Sequence, residues 1–181
     1  HVAEITVSVV PGPSALIAAL AVSGLPTGRF TFEGFLSTNK KSRRDHLEQV
    51  KNETRTIILY EAPHHLVGTL QELYQALGNR RMTLCRELTK KYETASRTTI
   101  EDLIAFYKDQ KPLGECVLVI EGRSRKEMEQ ESQESWRDIS IEEHMAIYEN
   151  QGIARKEAMK MVAKDRGVTK RDIYQALLLQ K

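Results

Sequence analysis

The chain is poor in cysteine, with Cys85 and Cys116 its only two in 181 residues. Both lie inside apolar, strand-like runs, so they read as buried free thiols rather than a disulfide or a metal pair. No CxxC or HExxH spacing occurs, and no metal is expected. No apolar run approaches the ~18 residues of a membrane span, and no signal peptide is visible. A cytoplasmic protein without a membrane partner is therefore expected. Neither sign of charge dominates, because the formal net charge of +2 is too small to imply a polyanionic partner by itself. What the chain does have is 40% apolar content, which supports a real core. Its length suits one compact domain, or a domain with a small appendage.

The first apolar run, Ile5 to Val10, reads as a short buried strand. Pro11-Gly12-Pro13-Ser14-Ala15 follows it and leads into an apolar helix over Ser14 to Ser23. Pro13 suits the first helical position, where a missing N–H costs nothing. Gly12 lacks a Cβ and lets another molecule approach the backbone. The free amides of the helix start complete a turn of the kind that holds a cofactor. A plain strand-to-helix turn has the same residues, so this stretch alone does not decide.

Gly24 stops the helix. Phe30 to Leu36 alternates and is aromatic, which predicts a strand. Lys40, Lys41, Arg43 and Arg44 open a helix running to about Asn52. The cluster reads either as a solvated helix face or as a phosphate-contacting patch. Thr56 to Tyr60 is β-branched and apolar and ends in Glu61-Ala62-Pro63-His64-His65. Pro63 marks the start of a helix to Leu77, with Leu66, Leu70, Leu73 and Leu77 at helical spacing. Arg81 to Leu88 predicts a strand, and Thr94 to Arg97 a short one. Thr99 starts a helix, and Glu115 to Glu121 is a strand with an apolar run suited to a sheet centre.

Strand and helix alternate, so the expected fold is α/β, a mixed sheet with flanking helices. PGPS, YEAPH, RELTK and EGR each follow the end of a strand. Were those strands parallel, all four would meet along one edge, where open α/β sheets bind ligands. The charged stretch Arg123 to Asp138 reads as a mobile, partly helical linker. Beyond it, three short amphipathic helices suggest a small helix-turn-helix-like appendage, with Thr169 capping the last. Eight Lys or Arg stand against three Asp or Glu between Gln151 and Lys181. That bias fits a solvated helical tail and a nucleic-acid surface equally well. The expected organisation is residues 1–122, a linker at 123–138, and a helical tail at 139–181.

The order PGPSALIAALAVSGLP, FTFEGFL, ILYEAPHHL, CRELTKKYE resembles the tetrapyrrole methylase family of S-adenosylmethionine (SAM) dependent methyltransferases. PGPSA recurs across the family, whereas EAPH and RELTK are narrower and point to its ribosomal RNA branch. The likeness runs from about Val9 to the end of the chain and covers the C-terminal part of such a protein. It departs at Ser37, where family members usually have proline, and at His65, where they often have arginine. Imidazole is not guanidinium, so no phosphate role is carried over to His65.

The resemblance implies a fold with SAM held between two α/β domains, of which this chain supplies the second. It implies methyl transfer to the ribose 2′-hydroxyl of a cytidine in small-subunit (16S) ribosomal RNA, within ribosomal RNA processing. It places Pro11, Gly12, Ser14 and Ala15, then Tyr60, Glu61 and Ala62, then Gly122, beside the cofactor. It matches Arg86, Glu87, Lys90 and Glu93 to an element facing RNA, beside which Lys40, Lys41, Arg43 and Arg44, read from the sequence alone, would be the basic patch. Glu87, Lys90 and Glu61 are the candidates for a catalytic role, with substrate positioning favoured over proton transfer. The implied partners are small-subunit RNA, an N-terminal domain of the same protein, and a second copy. Without that domain, no turnover is expected. Two other readings remain: a methyltransferase acting on a tetrapyrrole carbon, and a nucleic-acid-binding module built on the last helices. The first does not account for RELTK, and the second leaves the strand-end turns unused.

Overall fold

The computed structural model describes residues 12–179. The expected strand at Ile5 to Val10, and Pro11, lie outside them. The chain divides into two compact units, one ending at Arg123 and one beginning at Ser124.

The first unit holds α1 (Ala15–Ser23), β1 (Phe30–Phe35), α2 (Lys40–Val50), β2 (Thr56–Glu61), α3 (Leu66–Leu77), β3 (Arg81–Arg86), β4 (Thr94–Thr99), α4 (Ile100–Phe106) and β5 (Cys116–Ile120). The described sheet has the order β1-β2-β5-β3-β4. β1 pairs parallel with β2, while β5 runs antiparallel to both β2 and β3. β1, β2 and β3 therefore point one way, and β4 and β5 the other.

Each strand sends alternate side chains to opposite faces. Ile57, Leu59, Met82, Leu84, Leu118 and Ile120 meet α2, α3 and α4 in the larger core. Leu66, Leu70 and Leu73 are fully buried there, at the helical spacing seen in the sequence. Leu70→Ala would remove about 2–5 kcal/mol by opening a cavity. On the other face, Ile58, Cys85, Val117 and Val119 meet Ala19 and Leu20 of α1. The cysteines are buried free thiols, and burial pushes both up to about 11.

Neither proline opens a helix. α1 starts at Ala15 behind the N-cap Ser14, so Pro13 precedes the cap. Pro63 sits in a turn closed by His65 N–H on Ala62 O, and α3 begins at Leu66. The strand read as Thr94 to Arg97 extends to Thr99, whose hydroxyl caps α4.

The second unit holds α5 (Arg125–Ser135), α6 (Ile141–Asn150), α7 (Arg155–Asp165) and α8 (Lys170–Leu179). Within the expected partly helical linker, the structure has α5, capped by Ser124. Trp136 at its end stacks on His144 with ring centroids 3.8 Å apart. Met145, Ala158, Val162, Ala163 and Ile173 form the core of this unit. Ser140 and Glu143 form a reciprocal capping box at the start of α6.

Candidate active site

The C-terminal ends of β1, β2 and β3 share one edge, and β4 and β5 begin there. β5 ends at the opposite edge. Gly122 follows it, against the backbone of Thr54 and Arg55 ahead of β2. The expectation of four strand exits on one edge therefore fails for the EGR segment. Antiparallel pairing of β5 is the physical reason, and Gly122 stands apart from Tyr60, Glu61 and Arg86.

At the shared edge the two sheet faces differ. On the α1 face, the Tyr60 hydroxyl accepts the Leu16 N–H at 3.1 Å. It does what the N-cap Ser14 side chain does not do, since that side chain makes no cap bond. Gly12, Pro13, Ser14 and Ala15 are exposed beside this helix start. A Cβ added at Gly12 would meet nothing within 4 Å. The described residues around it thus give no steric reason for glycine there.

Phe32 and Phe35 pack edge-on against Tyr60, with centroids 4.9 and 5.6 Å away. They are 44% and 64% exposed, so this is an open aromatic surface. Three residues apart on a regular strand, they would face opposite ways. A bulge between Phe32 and Gly34, where Gly34 takes φ 64°, brings both to one face. Neither phenylalanine stood out as a site residue from sequence. The glycine inside an otherwise alternating strand was the available signal.

On the α2/α3 face, Glu61 is buried at 5% exposure. Its carboxylate accepts from Ala62 N–H at 2.8 Å and from the Thr69 hydroxyl at 2.5 Å. The Arg43 guanidinium lies 3.9 Å away, donates to Thr69 Oγ1 at 2.7 Å and pairs with Glu72. Glu61 thus ties α2 to α3 instead of facing solvent. Of the basic cluster, Arg43 is drawn into this network while Lys40, Lys41 and Arg44 stay exposed. Asn39 caps α2 by accepting from Lys41 and Ser42 N–H.

RELTK turns tightly after β3, with Glu87 and Thr89 at positive φ. The Glu87 carboxylate accepts Glu115 N–H at 2.9 Å, and Lys90 Nζ reaches Glu87 at 3.4 Å and Glu115 at 3.0 Å. That backbone N–H, and then Lys90, hold the Glu87 carboxyl below the usual carboxylate range. The Glu115 carboxylate, and then Glu87, raise the Lys90 ammonium. Both stay charged at neutral pH, which suits electrostatic contact better than proton transfer. Glu93 accepts Thr89 N–H at 2.6 Å and closes the loop. Arg86 donates to Thr94 at 3.2 Å. Among the described residues, no cluster of His, Cys, Asp or Glu is placed to hold a metal. No described helix is long and apolar enough to cross a membrane.

Residues 1–104 match the model of the Tetrapyrrole (Corrin/Porphyrin) Methylases. A protein of Halalkalibacterium halodurans named "Ribosomal RNA small subunit methyltransferase I" is 44% identical over 170 residues, covering 94% of this chain and 58% of its own length. A Bacillus subtilis protein of that name is 42% identical, covering 92% of this chain and 56% of its own. One from Synechocystis is 43% identical, covering 97% and 62%. The chain thus spans between 56% and 62% of the length of these relatives.

Proposed function

Because the chain belongs to the tetrapyrrole (corrin/porphyrin) methylase family, we propose that it is the RNA-facing half of a SAM-dependent methyltransferase. The complete protein would methylate the ribose 2′-hydroxyl of a cytidine in small-subunit ribosomal RNA. The observation that carries this is the union, at one edge, of the α1 start, the open Gly12 turn and the Phe32-Phe35-Tyr60 surface. The names of the relatives support the RNA substrate.

The residues present suit the cofactor chemically. The exposed start of α1 at Ser14 and Ala15 would favour a carboxylate, and exposed aromatic rings favour an adenine. Gly12, Ser14, Ala15 and Tyr60 would hold it, with the N-terminal domain supplying the other wall. When bound, SAM supplies an electrophilic methyl on a sulfonium. The chain's own task is alignment, because an acceptor oxygen must approach in line with the breaking bond. Arg86 and Lys90 would position RNA at the same edge, and Glu93 would keep their loop in shape. Glu61 acts indirectly, by fixing α2 and so the exposed Lys40, Lys41 and Arg44. The acceptor hydroxyl would give its proton to solvent water, because Glu87 and Lys90 remain a charge pair throughout.

The test uses the complete protein, small-subunit particles lacking the modification, and SAM carrying a tritiated methyl. Label recovered as 2′-O-methylcytidine is the expected result. Label on a base, or on an added tetrapyrrole in preference to RNA, would sink the reading.

A further inference from the structure

The second unit carries its charge unevenly. Ser124 to Asn150 has three Lys or Arg against eight Asp or Glu, whereas residues 155–179 have seven against three. The basic half is α7, α8 and their turn. Lys156, Lys160 and Lys164 are exposed and four residues apart, so they form one stripe along α7. Lys160 pairs with Glu157 at 2.8 Å. Lys156, Lys164, Lys170 and Arg171 make no ion pair among the described residues. Lys160, and to a lesser degree Lys170 from the start of α8 and Lys156, hold the Glu157 carboxyl below its usual range. The Lys170 charge therefore belongs to the surface that carries the stripe.

The α7–α8 connection is short and fixed. Gly167 takes φ 64° with the Gln133 amide packed where a Cβ would stand, and Val168 N–H closes the turn on Ala163 O. Thr169 and Asp172 exchange hydrogen bonds at the start of α8. Ile173 is buried, so α8 turns Arg171, Tyr174, Gln175 and Leu178 outward. Tyr174 and Leu178 are more than half exposed. A turn of three or four residues between two helices, with the second offering polar and aromatic side chains, is the arrangement by which helix-turn-helix units enter a nucleic-acid groove.

We propose that the α7–α8 surface of the second unit docks double-helical RNA. The lysine stripe of α7 and Lys170 lie along phosphates, and Arg171, Tyr174 and Gln175 face the wide, shallow minor groove that A-form RNA opens to side chains. The net charge of the whole chain conceals this, because the acidic α5–α6 half cancels it. The choice of RNA as the nucleic acid rests on the functional reading above, whereas the surface itself does not. It gives the protein a second hold on its substrate, apart from the sheet edge.

The test measures binding of the 181-residue chain to an RNA hairpin of about 16 base pairs, without SAM and across a salt series. The variant Lys156→Gln/Lys164→Gln/Lys170→Gln should flatten the slope of log affinity against log salt by roughly 2.7 units, at ~0.9 per phosphate contact. The control Lys108→Gln/Arg125→Gln/Lys126→Gln removes the same charge from exposed positions outside this surface and should leave the slope in place. Tyr174→Ala should weaken binding with little change of slope. Trp136 fluorescence, reporting its stack on His144, verifies that each variant keeps the unit folded. Equal flattening by both triple variants, or by neither, would overturn the proposal. So would tighter binding of a DNA duplex of the same sequence. A third refuting result is sedimentation showing that Tyr174→Ala only splits a dimer. Hairpin binding by a complete protein that fails to methylate would leave this surface standing and remove the methylation reading. A methylating protein with an unaltered slope would do the reverse.

Discussion

Replacing Gly122 by alanine separates a steric role from a cofactor role. A Cβ built there overlaps the Thr54 carbonyl and the Arg55 carbonyl oxygen, all backbone atoms that no rotamer can move. The flanking residues are pinned as well. Glu121 N–H donates to Arg81 O at 2.9 Å, and Arg123 N–H to Glu53 O at 2.6 Å. The strand exit cannot retreat without breaking one of them. Overpacking of this kind costs about 1–3 kcal/mol, and a lost hydrogen bond adds about 0.5–1.5 kcal/mol. A total near 3 kcal/mol lowers the melting temperature by roughly 6–12 °C for a chain of this size. Urea denaturation of the variant measures the stability, and calorimetry on the complete protein measures SAM affinity. Stability within about 0.5 kcal/mol of the parent, together with a tenfold loss of SAM affinity, would refute the steric argument. It would return Gly122 to the cofactor.

Tyr60→Phe removes the acceptor for Leu16 N–H, so it should cost about 1 kcal/mol and speed exchange of the Leu16 amide; unchanged exchange would count against the cap. Glu61→Ala strips the carboxylate from Thr69 and Arg43 and should cost ~1.5–3 kcal/mol, read by chemical denaturation, whereas Glu87→Ala at its exposed loop should change stability little. Burial, and then Arg166, hold His144 below its ordinary value of 6.5. The unfolded chain therefore takes up a proton first, and stability present above pH 6.5 is lost as the pH falls through the folded value. Melts followed by Trp136 fluorescence should show a lower midpoint at acid pH, and a midpoint that rises on acidification would contradict the buried neutral imidazole.

Much of this fold could be read in the residues, and the failures have physical causes. α3 was legible because its leucines recur at helical spacing and all of them bury. β5 was legible as a central strand because five consecutive apolar residues bury on both faces. Its direction was not, since side-chain alternation is the same whichever way a strand runs. That ambiguity put Gly122 at the wrong edge. α5 was read only as part of a charged, partly helical linker, because it buries no residue and so shows no apolar stripe. Yet Glu, Gln, Lys and Arg are good helix formers, and Trp136 on His144 and Gln133 against Gly167 attach the segment.

The site shows the same division between what periodicity reveals and what it hides. Tyr60 and Glu61 are adjacent and were grouped together, although neighbours on a strand must face opposite ways. The structure separates them: the Tyr60 hydroxyl sits at the start of α1, and the Glu61 carboxylate is enclosed between α2 and α3. A carboxylate whose oxygens are already engaged, at 5% exposure, gains little by contacting a ligand. Its loss would instead leave Arg43 and Thr69 without a partner on that side. The open side of the edge belongs to Tyr60, and the bulge at Gly34 widens it by bringing Phe35 alongside Phe32. Were the strand regular through Glu33, Phe35 would join the α2/α3 face. With the bulge, Glu33 is left to pair with His46 at 2.9 Å. The aromatic surface is thus a product of strand register, and the buried carboxylate a product of strand parity.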